Sequence, residues 1–481
     1  MRLPRVLPAF PAIVVIALLG LPLGPGGEGG AGPADAVSAL MVLYCGIRLV
    51  RDRRRPLSRT AAVVLGLPVL GLAIAAMGAA TPGAGITGMG RYLQIFVLVP
   101  AAVLLLIRHR GDFRVLAWSF VGLALWQGAI GVHQFLTGTG ASYQGQEIRA
   151  VGTFGAQDVM GMATVVCFGL ICAVGLALGT TAVRQRTVAT CCALALLVPL
   201  ALSFSRGAWI ATAVTCSVQL VLAGPRRALK VGAVVAALGV ILVGGLGVGS
   251  AMLQERVNSI TQVTDAPDQS VTDRYTMWAA AVDMWREQPL SGVGLKGFPE
   301  HRDAHASLAL SAGSDTEGAG AAFRKQPLLS PHNMYLLILA EQGLIGLLAL
   351  AGGWLALLVC GLRGLARVRR SDTGAVSGRA ALDTGAVSVR AALDTEAVSV
   401  RAARSGGAVS GRGLDCGLVA CGLLVWQLTD FVYADIGGPS TVLTAVCFGL
   451  AAWWGLAGSG LREPVTVPLA VPVRAEEAAA R

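Results

Sequence analysis

Charged side chains are scarce in this chain. They make up 14% of its 481 residues, whereas 54% are hydrophobic, and an average soluble domain has about a quarter charged residues. This scarcity excludes an ordinary soluble enzyme. Apolar runs of about 20 residues recur along the sequence, which is the length that a membrane-spanning helix needs. Because these runs do not alternate with polar residues, they exclude the strands of a membrane barrel. The chain is therefore predicted to be an all-α, polytopic membrane protein.

Lysine is also scarce, with three residues in the chain, so arginine carries most of the net charge of +11. The basic residues form short clusters between apolar runs, which is typical of cytoplasmic loops and excludes nucleic acid as a partner. The sequence has no P-loop and no Rossmann glycine pattern, which argues against a nucleotide-sugar donor. The ten cysteines lie in or beside predicted spans without metal-binding spacing. Neither a metal nor another cofactor is predicted.

About twelve membrane-spanning helices are predicted from the apolar runs. They cover residues 1–23, 33–50, 60–78, 91–107, 115–135, 158–179, 188–204, 207–223, 229–248, 333–362, 414–433 and 440–458. Arginine and lysine concentrate in every second connection, and these connections are expected to face the cytoplasm. Both termini are therefore expected inside a cytoplasmic membrane, with the arginine-poor connections outside.

Two connections are much longer than the others. Residues 249–331 form a predicted extracytoplasmic loop that contains helices, because its aromatic residues recur at spacings of three or four. Residues 363–413 form a cytoplasmic connection with three copies of an 11-residue repeat, for which disorder or a weak helix is expected. The predicted organisation is nine helices in 1–248, the loop 249–331, a tenth helix in 332–362, the repeat connection 363–413, two helices in 414–458 and a cytoplasmic tail in 459–481.

Three basic side chains stand at the predicted outer boundary of the membrane. Arg206 lies in a tight turn. Its guanidinium group either binds phosphate oxygens, or the side chain is an interface anchor that extends to the membrane surface. Arg274 is either a second phosphate contact or a solvated helix-start residue that pairs with Asp273 or Asp283. His332 stands where the large loop meets the tenth span. Its near-neutral pKa suits a general base, while the alternative is a polar cap.

Four further polar residues are weaker candidates for substrate binding. Asn333 is placed to bind a sugar or to orient the ring of His332. Arg149 is another arginine near the outer boundary, and Asp430 and Asp435 flank the outer end of the eleventh span, where they either bind sugar hydroxyls or balance the arginine charges. A base and fixed cations at a lipid–water boundary suit the transfer of a group from a lipid-linked phosphate.

Three stretches of the sequence resemble the O-antigen ligase and O-antigen polymerase superfamily of bacterial membrane glycosyltransferases. The first is residues 205–209 around Arg206, and the second is residues 273–295, which contain Arg274. The third is His332-Asn333, followed after nine residues by Gly343. The resemblance covers about residues 200–350. The repeats in 371–412 and the N-terminal third depart from the family pattern, which leaves the acceptor open.

This resemblance implies a metal-independent transfer of a glycan from undecaprenyl diphosphate, with inversion at the anomeric carbon, to an acceptor hydroxyl on the outer face of the membrane. It implies that His332 is the general base and that Arg206 and Arg274 bind the diphosphate and stabilise its charge as it leaves. The implied partners are the lipid-linked donor, a glycan, lipid or protein acceptor, and membrane lipids.

Ligase and polymerase activities are not separated by this resemblance. A transporter or flippase, or a non-catalytic scaffold, is the alternative from another class. The scarcity of mid-span charges and of matching halves favours an enzyme over a transporter.

Overall fold

Helices account for most of the fold in this computed structural model. The structure describes residues 8–22, 32–52, 57–143, 149–158, 160–179, 182–224, 228–229, 269–308, 310, 314–318, 324–326, 328–390, 413–438 and 440–457. Most of the predicted ninth span, the first part of the large loop (249–268), repeat residues 391–412 and the tail from 459 onward lie outside these residues.

The helices are numbered in chain order over the described residues. They are α1 (Phe10–Leu18), α2 (Pro33–Asp52), α3 (Arg59–Met77), α4 (Pro82–Leu93), α5 (Val99–Leu106), α6 (Arg110–Thr137), α7 (Gly161–Gly179), α8 (Val183–Leu202), α9 (Arg206–Ala223), α10 (Gln269–Glu287), α11 (Phe298–His305), α12 (Met334–Arg390), α13 (Leu414–Asp430) and α14 (Thr441–Leu456). A wider π-helical turn, Gln94–Leu98, joins α4 to α5, and a 3-10 segment, Gly152–Asp158, precedes α7.

Eight described helical stretches are long and apolar enough to cross a membrane, which confirms a multi-spanning membrane protein. They are α2, α3, the stretch Pro82–Leu106, α6, α7, α8, α9 and the first part of α12 (Met334–Arg370). The predicted number of twelve is not reached within the described residues. Helix α1 has nine residues, α13 has 17 with an aspartate near each end, and α14 is apolar but has 16.

Helix α7 lies at the centre of the bundle. In its span 78% of the residues are buried, against 28% to 50% in the other seven spans. Gly169 lies against Ala124 of α6, and Gly175 lies against Val419 of α13. Small residues at these crossings let neighbouring helix backbones approach closely, which is how membrane helices gain packing energy.

Helix α12 is broken at Gly343, where φ is 62°. The break exposes backbone groups, which are costly at membrane depth unless protein groups pair with them. The connection between α10 and α11 supplies the partners: Val293 N donates to Ala340 O (2.9 Å), and Leu344 N donates to Pro289 O (2.9 Å). The large loop is therefore hydrogen-bonded into the helix that follows His332.

A small antiparallel sheet, which was not predicted, joins two connections. Its strands are β1 (Ala141–Tyr143), β2 (Ser314–Gly318) and β3 (Arg324–Gln326), in the order β1-β2-β3. The prediction of an all-α fold is confirmed for the bundle, and these three short strands are an addition within the connections. The physical reason is that backbone N–H and C=O groups outside the helices also need partners, and strand pairing provides them.

Helix α12 continues well past residue 362, where the predicted span ends, and reaches Arg390. Residues 371–390 of the repeat segment are therefore helical. Of the two expectations for the repeats, disorder and a weak helix, the helix applies to this part.

Several connections meet at one end of the bundle, called the His332 end, at which α9 and α12 begin and α13 ends. Ala150 N donates to Leu202 O (3.2 Å) at the end of α8. The Arg91 guanidinium donates to Gly438 O (3.3 Å) between α13 and α14. The pairing of β1 with β2 joins residues 136–157 to residues 249–331, two connections that were predicted to share one side of the membrane.

Candidate functional site

The backbone beside His332 is held by hydrogen bonds to two other segments. Met334 N donates to Ala434 O (3.0 Å), and the Trp278 indole N–H donates to Pro331 O (2.8 Å). His332 itself has a φ of 49°. Few non-glycine residues adopt this left-handed conformation, and residues that do so concentrate at functional sites. The imidazole is therefore presented by a constrained and uncommon backbone geometry.

Asp435 approaches His332 from the connection between α13 and α14. Its Oδ2 lies 4.0 Å from Nδ1 of His332, and the Ser330 hydroxyl donates to the same oxygen. The Asp435 side chain is 10% exposed, while that of His332 is 43% exposed. The carboxylate is thus covered by protein, whereas the imidazole remains accessible to a substrate.

Three influences act on the pKa of His332. Burial by the surrounding protein atoms lowers this pKa from its ordinary value of 6.5, the charge of Asp435 raises it, and the charge of Arg274 lowers it again. The net direction of the pKa shift is downward, which favours the neutral form of the ring. A neutral imidazole can accept a proton, and the role of His332 as a general base stays a prediction.

Arg274 reaches from α10 to the same connection. Its Nη1 donates to Tyr433 O (3.3 Å), and its charge acts on both His332 and Asp430. Asp430 is buried at the end of α13. Arg274 therefore belongs to the surroundings of His332, and its role as a phosphate contact stays a prediction.

Arg206 begins α9 in a tight turn, where the Ser205 side chain caps the helix. The next residue, Gly207, lies against the ring of Tyr433, whose hydroxyl donates to Gly207 O. Tyr433 thus contacts the start of α9 through its side chain and Arg274 through its carbonyl oxygen. One tyrosine connects the two arginine-bearing helices, although nothing in the sequence pattern had singled it out.

Asn333 and Arg149 have backbone contacts that support the fold. The Asn333 Oδ1 caps α12 by accepting the N–H of Leu336 (3.0 Å). Arg149 pairs through its backbone with Ala141, beside the connection that leads into α7. The Asn333 amide nitrogen and the Arg149 side chain remain predicted substrate contacts.

Two charged residues that were not predicted as site residues support the connection that carries Asp435. Arg91 donates to Gly438 O (3.3 Å), and the Asp158 Oδ2 accepts from the Ser440 hydroxyl (3.0 Å). A signal for both was present, because each stands at the outer boundary of a predicted span, where a charge is costly without a partner.

The side chains around His332 combine a proton acceptor with positively charged groups. A neutral imidazole can remove a proton from a hydroxyl, and guanidinium groups can stabilise negative charge on a leaving phosphate. Within the described residues, no three His, Cys, Asp or Glu side chains are grouped so that they could hold a metal ion. Imidazole, guanidinium and carboxylate groups are thus the chemistry that the described residues bring to this end of the bundle.

Comparisons with known proteins bear on the central part of the chain. Residues 191–351 match the family model described as O-Antigen ligase, and a comparison with curated proteins found no match. The matched segment contains Arg206, Arg274 and His332, whereas Tyr433 and Asp435 lie outside it. The motifs and the family match agree that residues 191–351 of this membrane protein are similar to the O-antigen ligase superfamily.

Proposed function

We propose that this protein transfers a glycan from undecaprenyl diphosphate to an acceptor hydroxyl on the outer face of the cytoplasmic membrane, in polysaccharide or cell-envelope biosynthesis. The observation that carries the proposal is the arrangement around His332. A partly exposed imidazole lies 4.0 Å from the covered carboxylate of Asp435, and the charge of Arg274 acts on it. This arrangement suits proton removal beside a developing negative charge.

In the proposed reaction His332 accepts the proton of the acceptor hydroxyl while the hydroxyl oxygen attacks the anomeric carbon. The bond from that carbon to the diphosphate oxygen breaks on the opposite face, so the configuration inverts. Its electron pair leaves with undecaprenyl diphosphate. Asp435 stabilises the imidazolium that forms, because an opposite charge nearby favours the protonated ring.

Arg206 and Arg274 are proposed to hold the diphosphate. Guanidinium groups stay charged and bind phosphate oxygens with two parallel hydrogen bonds. Their charge stabilises the leaving group more as the bond breaks, and interactions that strengthen in this way lower the barrier. The mechanism needs no metal, because the arginines supply the positive charge.

The proposal is tested with purified protein in lipid nanodiscs, lipid-linked glycan extracted from the source organism, and candidate glycan, lipid and protein acceptors. His332→Ala should lower the transfer rate by about 10²–10⁴-fold, the usual contribution of a general base. Arg206→Ala and Arg274→Ala should also lose most of their activity. Exposed residues of the same types, His133→Ala and Arg286→Ala, are the matched controls and should retain wild-type rates.

The products separate the possible activities. A glycan joined to a lipid or protein indicates a ligase, and a glycan joined to a second lipid-linked unit indicates a polymerase. Wild-type activity in all three site variants would overturn the proposal, and loss of activity with a chelator would overturn its metal-free form.

A transporter or flippase is the second candidate, because α12 is broken at Gly343 and discontinuous helices occur at transporter substrate sites. The break is filled by backbone hydrogen bonds from the α10–α11 connection, for example from Val293 N to Ala340 O. Because protein groups already occupy these backbone positions, a structural role for the break is favoured over a role in substrate transport. Movement of lipid-linked glycan across vesicles without any new glycosidic bond would establish the transporter instead.

A further inference from the structure

We infer that Tyr275 is a sugar-binding residue that stacks against a pyranose ring of the glycan beside His332, an inference that rests on the proposed glycan transfer. Tyr275 is 57% exposed, although it lies next to Arg274 on α10. A large exposed aromatic ring at the edge of a polar site is a common means of binding a ligand that has both apolar and polar faces.

Tyr275 is connected to the catalytic region through one side chain. Its ring meets Trp278 edge-to-face, with ring centroids 5.6 Å apart and an interplanar angle of 84°. The Trp278 indole donates to Pro331 O (2.8 Å), and Pro331 precedes His332. The tyrosine ring is thus held in place before a ligand arrives, which lowers the entropy lost on binding.

The geometry of α10 indicates that Tyr275 faces water rather than lipid. With about 100° per residue, Arg286 lies on almost the same helix face as Tyr275, and Asp283 lies beside that face. These two residues form an ion pair, with side chains 69% and 47% exposed, and exposed charged groups of this kind are expensive within hydrocarbon. Arg274 lies about 100° from Tyr275 around the helix, and its guanidinium donates to Tyr433 O.

A pyranose ring fits this position chemically. One face of many pyranoses presents C–H groups that can cover an aromatic ring, while the hydroxyls around its rim remain available to polar groups. The ligand class is therefore the sugar adjoining the transferred bond, in donor or acceptor, rather than the lipid or the diphosphate.

The test compares Tyr275→Ala, Tyr275→Phe and wild type in binding and transfer. The binding probe is the oligosaccharide released by mild acid from extracted lipid-linked glycan, and undecaprenyl monophosphate is the sugar-free probe. Tyr275→Ala should weaken oligosaccharide binding and raise KM by about 3- to 10-fold, as expected for loss of an aromatic contact, with kcat changed less. Tyr275→Phe should retain both, and binding of undecaprenyl monophosphate should stay unchanged.

Tyr44→Ala is the matched control, because Tyr44 is also a half-exposed tyrosine (50%) but lies on α2. It should bind and transfer like wild type. Equal oligosaccharide binding by Tyr275→Ala and wild type would overturn the inference. Reduced insertion or thermal stability of Tyr275→Ala with unchanged oligosaccharide binding would identify a membrane anchor and would overturn it as well.

The two proposals fail in different ways. If the His332→Ala and arginine variants lose transfer while Tyr275→Ala keeps the wild-type KM, only the stacking role is wrong. If wild type transfers no glycan to any acceptor, the proposed function is wrong, and sugar binding that depends on Tyr275 would then indicate a glycan-binding protein.

Discussion

Oδ2 of Asp435 lies 4.0 Å from Nδ1 of His332, although all of α12 and all of α13 separate the two residues in the chain. The pairing gives Asp435 a more specific role than the predicted contact with sugar hydroxyls. A carboxylate at this distance stabilises the protonated imidazole and favours one orientation of the ring. Asp435 is therefore proposed as a positioning residue that acts through His332.

Replacement of the Asp435 carboxylate should slow the chemical step. Loss of the carboxylate behind a catalytic histidine costs about 10⁴-fold where the two are hydrogen-bonded, so at the longer distance we expect Asp435→Asn to lower kcat by about 10- to 100-fold. KM should change little. Initial rates with saturating lipid-linked glycan measure the effect, with Asp283→Asn as the control. A raised KM with an unchanged kcat would instead support direct sugar binding.

The pH dependence of transfer should follow the depressed pKa of His332. Burial lowers this pKa below 6.5, so the neutral base persists at neutral pH and kcat/KM should fall only when the pH drops below 6.5. Asp435 raises the pKa of His332, so Asp435→Asn should move this fall to still lower pH. Rates between pH 5 and 8 test the prediction. A midpoint above 6.5, or a shift upward in the variant, would contradict it.

The close contact between Gly207 and Tyr433 predicts a loss of activity without a loss of folding. A Cβ at position 207 would overlap the tyrosine ring, so Gly207→Ala should displace Tyr433 and with it Arg274. Displacement of a catalytic group by about 1 Å can cost about 10²-fold in rate. Transfer assays measure the effect, and Gly122→Ala, at a position with open space around it, should be fully active.

The broken helix α12 predicts a large difference between two glycine substitutions in the same helix. Gly343 has a φ of 62°, and its Cβ would overlap the Leu290 carbonyl, so Gly343→Ala should destabilise the protein by about 1–3 kcal/mol. Gly352 has open space, so Gly352→Ala should be neutral or slightly stabilising, because alanine favours helix over glycine. Apparent melting temperatures in detergent measure both effects. Equal melting temperatures for Gly343→Ala and Gly352→Ala would contradict the left-handed conformation at Gly343.

Several elements could be predicted from sequence because their signals are local. The apolar runs of α2, α3 and α6 to α9 each carry the length and hydropathy of a span, and no distant residue changes that signal. The sequence also predicts helix α13, because residues 414–433 form an apolar run. Its buried aspartates, Asp415 and Asp430, have surroundings that no local pattern describes: the Arg114 guanidinium binds Asp415, and Arg274 acts on Asp430.

The amino-acid sequence alone determined that this is a helical membrane protein and that Arg206, Arg274 and His332 are candidate site residues, because hydropathy and short motifs are properties of contiguous residues. Only the tertiary structure decided that Asp435 lies beside His332 and that Tyr433 joins the two arginine-bearing helices. These contacts depend on how α9, α10, α12 and α13 pack at one end of the bundle, and packing is a sum of many weak interactions between segments far apart in the chain.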